Sequence, residues 1–307
     1  MKKLSFLVAL ATFLSFSAFA EFNVSIYNEL GTDTVHASKG NSKSGIFYDE
    51  MDITFSHEKV KARIDAFALL SPEDKDLSVM LFDWYETIHA LNFLDVSLND
   101  KIRSSNSKFS IRWEDISFAK IGCEGASATL VWDKLRVNVG IPFQNFSSDQ
   151  LSVSTGVCYD ILDDMQVSAT AEKKDDSFAG GVFFSSKWFN LGYGYNYETL
   201  GLYGSKKHIL VTSTYPVFGG FEPGLEFAAD FDGNFYGAFQ ANYRVLNFLI
   251  RSNVQGNYVG DVLTYQVEGG LSYFFKDHHE ICAKIRLNLT DDNLDMVSVP
   301  IYWAYFF

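Results

Sequence analysis

A chain of 307 residues with 38 acidic against 25 basic side chains, and a formal charge of −13, is a poor partner for nucleic acid or an anionic membrane surface. Hydrophobic residues make up 47% and aromatics 16%, yet mean hydropathy is near zero. Apolar and polar residues are therefore finely mixed rather than sorted into blocks. Cys123, Cys158 and Cys282 are far apart and form no CxxC metal or redox motif. They read as small buried thiols, with a disulfide left open by an oxidising compartment.

The N-terminus carries the first landmark. Lys2 and Lys3 precede an apolar run from Leu4 to Phe19, ending Ala18-Phe19-Ala20 before Glu21. A positive start, a short apolar stretch and a small-x-small site define a cleaved secretory signal peptide over residues 1–20. The run is short for a membrane anchor. Losing its two lysines takes the formal charge from −13 to −15. Beyond residue 20 no apolar run approaches the ~18 residues that a membrane helix needs.

Residues 21–307 have a dominant period of two. In 135–141, "LRVNVGI", Arg136 and Asn138 alternate with apolar residues. In 190–197, Leu191, Tyr193, Tyr195 and Tyr197 alternate with Asn190, Gly192, Gly194 and Asn196. The same holds in 263–273 and 281–289. Such alternation marks strands with one apolar and one polar face. The pattern predicts strands at 22–30, 46–56, 59–69, 79–90, 93–102, 125–132, 135–143, 151–161 and 165–173. It continues at 178–187, 190–198, 207–215, 222–231, 235–245, 248–257, 262–275, 280–289 and 296–307. That makes eighteen strands, or sixteen if the weakly patterned region 91–102 is discounted.

The connections alternate too. Tight ones include His57-Glu58, Asp133-Lys134, Trp188-Phe189 and Leu246-Asn247. Longer polar ones include Gly31–Ser44, Ser71–Ser78, Ser104–Glu124 and Thr290–Asp295. Short turns on one side and longer loops on the other are the layout of a transmembrane barrel. An even strand count returns the chain to the tight-turn side. A closed barrel also removes the open edges that two large soluble sheets would have to protect. The expected fold is an all-β, antiparallel, up-and-down transmembrane β-barrel of 16–18 strands.

The last strand is the most specific piece. Val299, Ile301, Trp303, Tyr305 and Phe307 are large and apolar or aromatic at every second position, ending the chain on an aromatic. With the signal peptide, this ending resembles the bacterial outer-membrane β-barrel family, and within it the porins. The resemblance covers the mature chain as pattern. It implies an outer-membrane location, outer-membrane lipid around the barrel, and recognition of the last strand by the barrel-assembly machinery. It also allows a homotrimer. Porins fold the loop between strands five and six into the lumen. Here that connection carries Arg112, Glu114, Asp115 and Lys120, without the short acidic-aromatic-glycine motif common in general porins. The segment is also readable as an extra strand.

A diffusion channel needs width, water and a charge arrangement, not a catalytic group. The expected inward face carries Lys61, Arg63, Arg136, Arg244, Arg251, Lys284 and Arg286. It also carries acids, among them Glu50, Asp52, Asp65, Asp160 and Glu268. These form either a transverse field for polar solutes or a set of lumenal salt bridges. Inward amides such as Asn138 and Gln266 offer hydrogen bonds to sugars, but inward aromatics are expected only at Phe67 and Tyr236. His36-Ala37-Ser38 matches the bare spacing of one outer-membrane hydrolase type, in what reads as a polar loop. A Gly-x-Ser-x-Gly elbow is absent. Asp277-His278-His279-Glu280 is expected to be a solvated turn, since adjacent side chains diverge. No cofactor or metal is expected. The reading is an outer-membrane, porin-like channel for small hydrophilic solutes. Its alternative is a structural or surface-interaction barrel without an open pore.

Overall fold

The computed structural model describes residues 23–37, 45–71, 76–99, 125–142, 152–174, 177–196, 208–276 and 278–307. The signal-peptide segment 1–20 and the segment with Arg112, Glu114, Asp115 and Lys120 lie outside them. So does Cys123, while Cys158 and Cys282 are free, buried thiols.

Eighteen strands follow one another in chain order. They are β1 (Asn23–Ala37), β2 (Ile46–Ser56), β3 (Val60–Ser71), β4 (Asp76–Leu91), β5 (Leu94–Leu98) and β6 (Gly125–Trp132). Next come β7 (Leu135–Pro142), β8 (Val153–Leu162), β9 (Met165–Lys174), β10 (Ser177–Ser186), β11 (Asn190–Tyr195) and β12 (His208–Thr214). The last are β13 (Phe221–Asp230), β14 (Phe235–Val245), β15 (Phe248–Val259), β16 (Val262–Phe275), β17 (His279–Thr290) and β18 (Asn293–Phe306). Each pairs antiparallel with its sequence neighbours, and β1 also pairs with β18. The sheet is thus a closed up-and-down barrel. The count is eighteen, with β5 reduced to five residues in the weakly patterned region.

Two of the differences from the predicted boundaries bear on the site. β1 runs past Leu30 to Ala37, so His36-Ala37 lies on a strand rather than in a loop. Gly31 and Asp33 break its apolar pattern only because they belong to the inner face. The connection expected at Thr290–Asp295 is a two-residue turn, Asp291-Asp292, with φ of 46° and 64°. Positive φ at both positions is the hairpin geometry whose twist matches the strands. Gly260-Asp261 makes the same turn, with φ of 57° and 66°.

Register fixes the two faces. Leu130, Val139, Val157, Leu191 and Leu225 are exposed and point outward. Ser127, Asn138, Cys158, Gln166 and Ser213, on the alternate positions, are buried and point inward. With no second sheet to cover it, the exposed apolar face meets lipid. Aromatic belts flank that face, as membrane interfaces require. At the short-turn end, Phe248, Tyr273, Phe275, His279 and Trp303 form a row with ring centroids 4.9–6.1 Å apart. At the far end, Tyr195, His208 and Phe231 make a second cluster, and Phe235 stacks on Tyr258 at 5.1 Å.

The seam between β1 and β18 is fully laddered. Ile26 and Phe307 exchange both backbone hydrogen bonds, at 2.8 Å each. Val299, Ile301, Trp303, Tyr305 and Phe307 therefore share the bonded phase toward β1 and the outward face. Pro300 falls on the inner face, opposite Asp33, in the non-bonded phase toward β1. Its missing N–H is on the β17 side, where the β17–β18 register skips Lys284 and Ile285. The bulge on that pair lies further along β17, between Asn288 and Leu289.

One glycine is required at the seam. A Cβ on Gly31 would stand 2.4 Å from the Tyr48 ring, which lies flat across it. Gly31→Val is expected to destabilise the barrel by about 1–3 kcal/mol through overpacking. Urea unfolding in lipid vesicles measures it, and adding Tyr48→Ala should recover part of the loss. Deleting Phe307 removes the last bonded pair of the seam. The assembled, heat-modifiable fraction on gels should fall sharply, while single-channel properties of the molecules that do assemble stay near wild type.

Candidate pore lining

The inner wall is built by the strand positions that alternate with the lipid-facing ones. A charge on the outer face costs about 2–4 kcal/mol at the membrane midplane for Arg or Lys. The alternation sends such residues inward, where their counter-ions stand on neighbouring strands. Arg63 on β3 reaches Asp52 at 2.6 Å and Asp65 at 3.3 Å. Asp52 and Asp65 face each other across the β2–β3 ladder, so Arg63 neutralises a like-charge pair. Arg136 on β7 pairs with Asp160 on β8 at 2.5 Å, and Gln166 donates to the same carboxylate at 2.8 Å.

On β15, Arg251 reaches over β16 to Glu280 on β17, 2.8 Å away, and touches Ser272 at 3.0 Å. Its ladder partner on β16 is Gly270, which leaves the space for that crossing. Glu268 takes both Arg286 at 2.9 Å and Lys284 at 3.4 Å. Arg244 stands apart from these pairs. It is exposed near the short-turn end, with its guanidinium 4.8 Å from the Phe274 ring centre. The structure thus brings Arg63, Arg136, Arg251, Lys284 and Arg286 together with carboxylates as wall ion pairs, one of the two arrangements expected, while no ion pair joins Arg244 or Glu50 among the described residues.

Uncharged polar groups knit the rest of the wall. Thr87 bonds Ser97, Asn138 bonds Thr129, and Asn190 bonds Ser213, each at 2.9 Å. On β15–β17, Gln255, Gln266 and Asn288 stand abreast in one row of the ladder. Asn253 and Asn257 flank Gln255 on the same face. These amides add neutral hydrogen-bonding capacity beside the Glu268 cluster.

Inward aromatics are more numerous than the sequence reading allowed. Besides Phe67 and Tyr236, the inner face holds Tyr27, Tyr48, Tyr85, Phe183 and Tyr302, by register with inward partners. Counting parity along each strand would have found them; their aromatic character pointed to lipid instead. Several carry hydroxyls that meet carboxylates. Tyr27 and Tyr48 both donate to Glu29, the latter at 2.7 Å. Tyr302 donates to Glu280 at 3.2 Å. Tyr215 and Tyr236 both donate to the buried Glu226, the latter at 3.1 Å.

Of the Asp277–Glu280 stretch, Asp277 lies outside the described residues, and His279 and Glu280 are on a strand rather than in a solvated turn. Glu280 is buried and inward, on Arg251. His279 is outward in the aromatic belt and accepts a hydrogen bond from the Trp303 indole at 3.2 Å. The two residues leave the strand on opposite faces, so they cannot share a metal ion.

A closed antiparallel barrel with an apolar outside, aromatic belts and an ion-paired inner wall defines a membrane-spanning β-barrel. No family model matches the chain, and no curated protein matches it. Solved structures do. It is similar to OccAB4 of Acinetobacter baumannii, at 8% identity over 94% of this chain and 98% of that one, with a TM-score of 0.64. It is similar to OccK5 (OpdH) of Pseudomonas aeruginosa, at 11% identity over 93% and 98%, with a TM-score of 0.60. The outer membrane protein OpdK of Pseudomonas aeruginosa gives 8% identity over 93% and 98%, with a TM-score of 0.60. At these identities the likeness is one of fold.

Removing Arg63 takes its guanidinium away from the opposed Asp52 and Asp65. Arg63→Gln is expected to cost about 1.5–3 kcal/mol, the range for a charged hydrogen bond. Urea unfolding in vesicles reads this, and Asp65→Asn in the same chain should return part of it.

Proposed function

We propose that the chain is a passive diffusion channel of the bacterial outer membrane for small hydrophilic solutes. The observation that carries the proposal is the closed barrel whose ion pairs and most of whose amides lie on the inner wall, the outer one being largely apolar apart from Asn28 and Asp49. Such a wall needs water beside it, and a wet lumen conducts. The fold shared with an outer membrane protein supports the location. Residues 1–20 serve as the cleaved export signal. The outward row from Val299 to Phe307 is offered to the assembly machinery before it closes on β1. Association as a trimer, common among porins, fits the same reading.

The wall charge favours cations. Arg63, Arg136, Arg251, Lys284 and Arg286 are all matched by carboxylates. Glu29 and Glu50 face each other across β1–β2, and no ion pair joins either of them among the described residues. Far-end turns add Asp232, Asp261, Asp291 and Asp292, an acidic approach that raises local cation concentration.

Planar-bilayer recording tests both statements. Discrete ohmic steps, with a reversal potential on the cation side in a salt gradient, are expected. Glu50→Gln should move that potential toward zero without abolishing the steps. One observation favours the other reading, a surface-interaction barrel without an open pore: much of the inner face from β6 to β14 is buried. Correctly folded protein that never conducts would decide for it.

A further inference from the structure

The inner wall is not equally open around the ring. On β9–β12, Gln166, Ser168, Phe183, Ser185, Ile209 and Ser213 face inward and keep at most 3% of their surface. Phe183, Ile209 and Gln166 keep only 1%, so burial here is not a matter of small side chains slipping between large ones. On the opposite arc burial is uneven: Ser272, Cys282, Ser298 and Ala304 are fully buried and Asp65 and Glu280 keep 5%, but many inward residues beside them are half-open. The side chains of Arg251 and Arg286 keep 29% and 31% of their surface. Asp52 keeps 20% and Lys284 19%. Glu50, Gln255 and Asn288 are likewise part-exposed. In an eighteen-strand ring, β10–β12 stand across from β1–β3, so the contrast is between two sides of one lumen.

We infer that the aqueous path is eccentric: it runs along the wall made by β15–β18 and β1–β3, and the wall of β9–β12 takes no part in permeation. The inference rests on the channel reading above and adds where in the barrel solutes move. Its consequence is chemical. A solute on this path has the Glu29–Glu50 carboxylates of β1–β2 to one side. On the other it meets the amides Gln255, Gln266 and Asn288 with the Glu268–Lys284–Arg286 cluster. Between them lies β18, whose inward Ser298, Pro300 and Ala304 are buried and carry no charge. The residues that set selectivity are then those of this arc.

Thiol accessibility from the lumen tests the inference. In a chain carrying Cys123→Ser, Cys158→Ser and Cys282→Ser, single cysteines replace Glu50, Gln255 or Asn288 on one arc. On the other they replace Ser168, Ser185 or Ser213. The probe is (2-trimethylammonium)ethyl methanethiosulfonate, a small cation that does not cross lipid. A thiolate attacks its sulfenyl sulfur, forming a mixed disulfide and expelling methanesulfinate. Extent of modification is read by mass spectrometry on protein in vesicles, and heat-modifiable gel mobility shows that each variant has folded. The first three sites should react fast and lower the single-channel conductance. The second three should react on the order of 100-fold more slowly, as shielded thiols do. Comparable rates on both arcs, faster reaction on β9–β12, or no reaction at any site in a conducting barrel each overturn the eccentric path. A barrel that does not conduct before modification is a different failure, that of the channel reading.

Discussion

Everything in this barrel depends on the pairing of β1 with β18. Eighteen strands laid side by side leave two edges of unpaired amides and carbonyls, and hydrocarbon offers those groups no partner. The bonded pair Ile26–Phe307 and the ladder that continues to Ala37 and Met296 remove both edges at once. Residues from the two ends of the described chain supply this one contact, which makes closure a long-range event. It also explains why the terminal strand is so regular. Its outward row must suit lipid, and its bonded phase must suit β1. Pro300 is tolerated because its missing donor falls on the other side, where β17 gives up one rung.

Closure then sorts the side chains. A residue's parity along its strand decides between lipid and lumen, and a one-residue slip would exchange the two sets. The cost of a wrong assignment is largest for Arg and Lys, and the structure places Arg63, Arg136, Arg251, Lys284 and Arg286 inward with carboxylates in reach. Most of these pairs link adjacent strands of one hairpin, so they form as the hairpin forms. Arg251–Glu280 is different. It spans a strand, and it exists because Gly270 and Ser272 keep β16 low at the crossing. The same economy appears at Gly31, whose missing side chain lets Tyr48 lie against the seam and reach Glu29. Function follows from the remainder: the wall groups that no protein partner neutralises face the water.

The fold was legible because period two is a local signal that survives in every hairpin. The eighteen strands sit where alternation puts them, including β5, whose five residues carry the weakest pattern. Turn lengths were less legible. Thr290–Asp295 looked like a loop because Asp291, Asp292 and Asp295 are polar, yet two aspartates with positive φ suffice for the turn. The wall was half legible. Charged residues declared their face through the cost of lipid burial. Tyr27, Tyr48, Tyr85 and Tyr302 did not, since a tyrosine suits a belt as well as a lumen. Parity counted along each strand, not residue type, assigns them. Which arc of the wall is open is a property of the whole ring and has no local signature.

The seam is where closure can be tested most directly. Thr32 and Ile301 are ladder partners on the outer face of β1 and β18. Their Cα separation in a bonded antiparallel pair, about 5.5 Å, lies within disulfide range. Thr32→Cys with Ile301→Cys, in a background free of other cysteines, should oxidise to an intramolecular disulfide in isolated outer membranes. The cross-linked chain should stay compact on gels under heating until reduced. An absence of cross-linking in assembled protein, or efficient cross-linking of Thr32→Cys with a cysteine two rungs away at Tyr305 instead, would contradict the closed register on which the barrel rests.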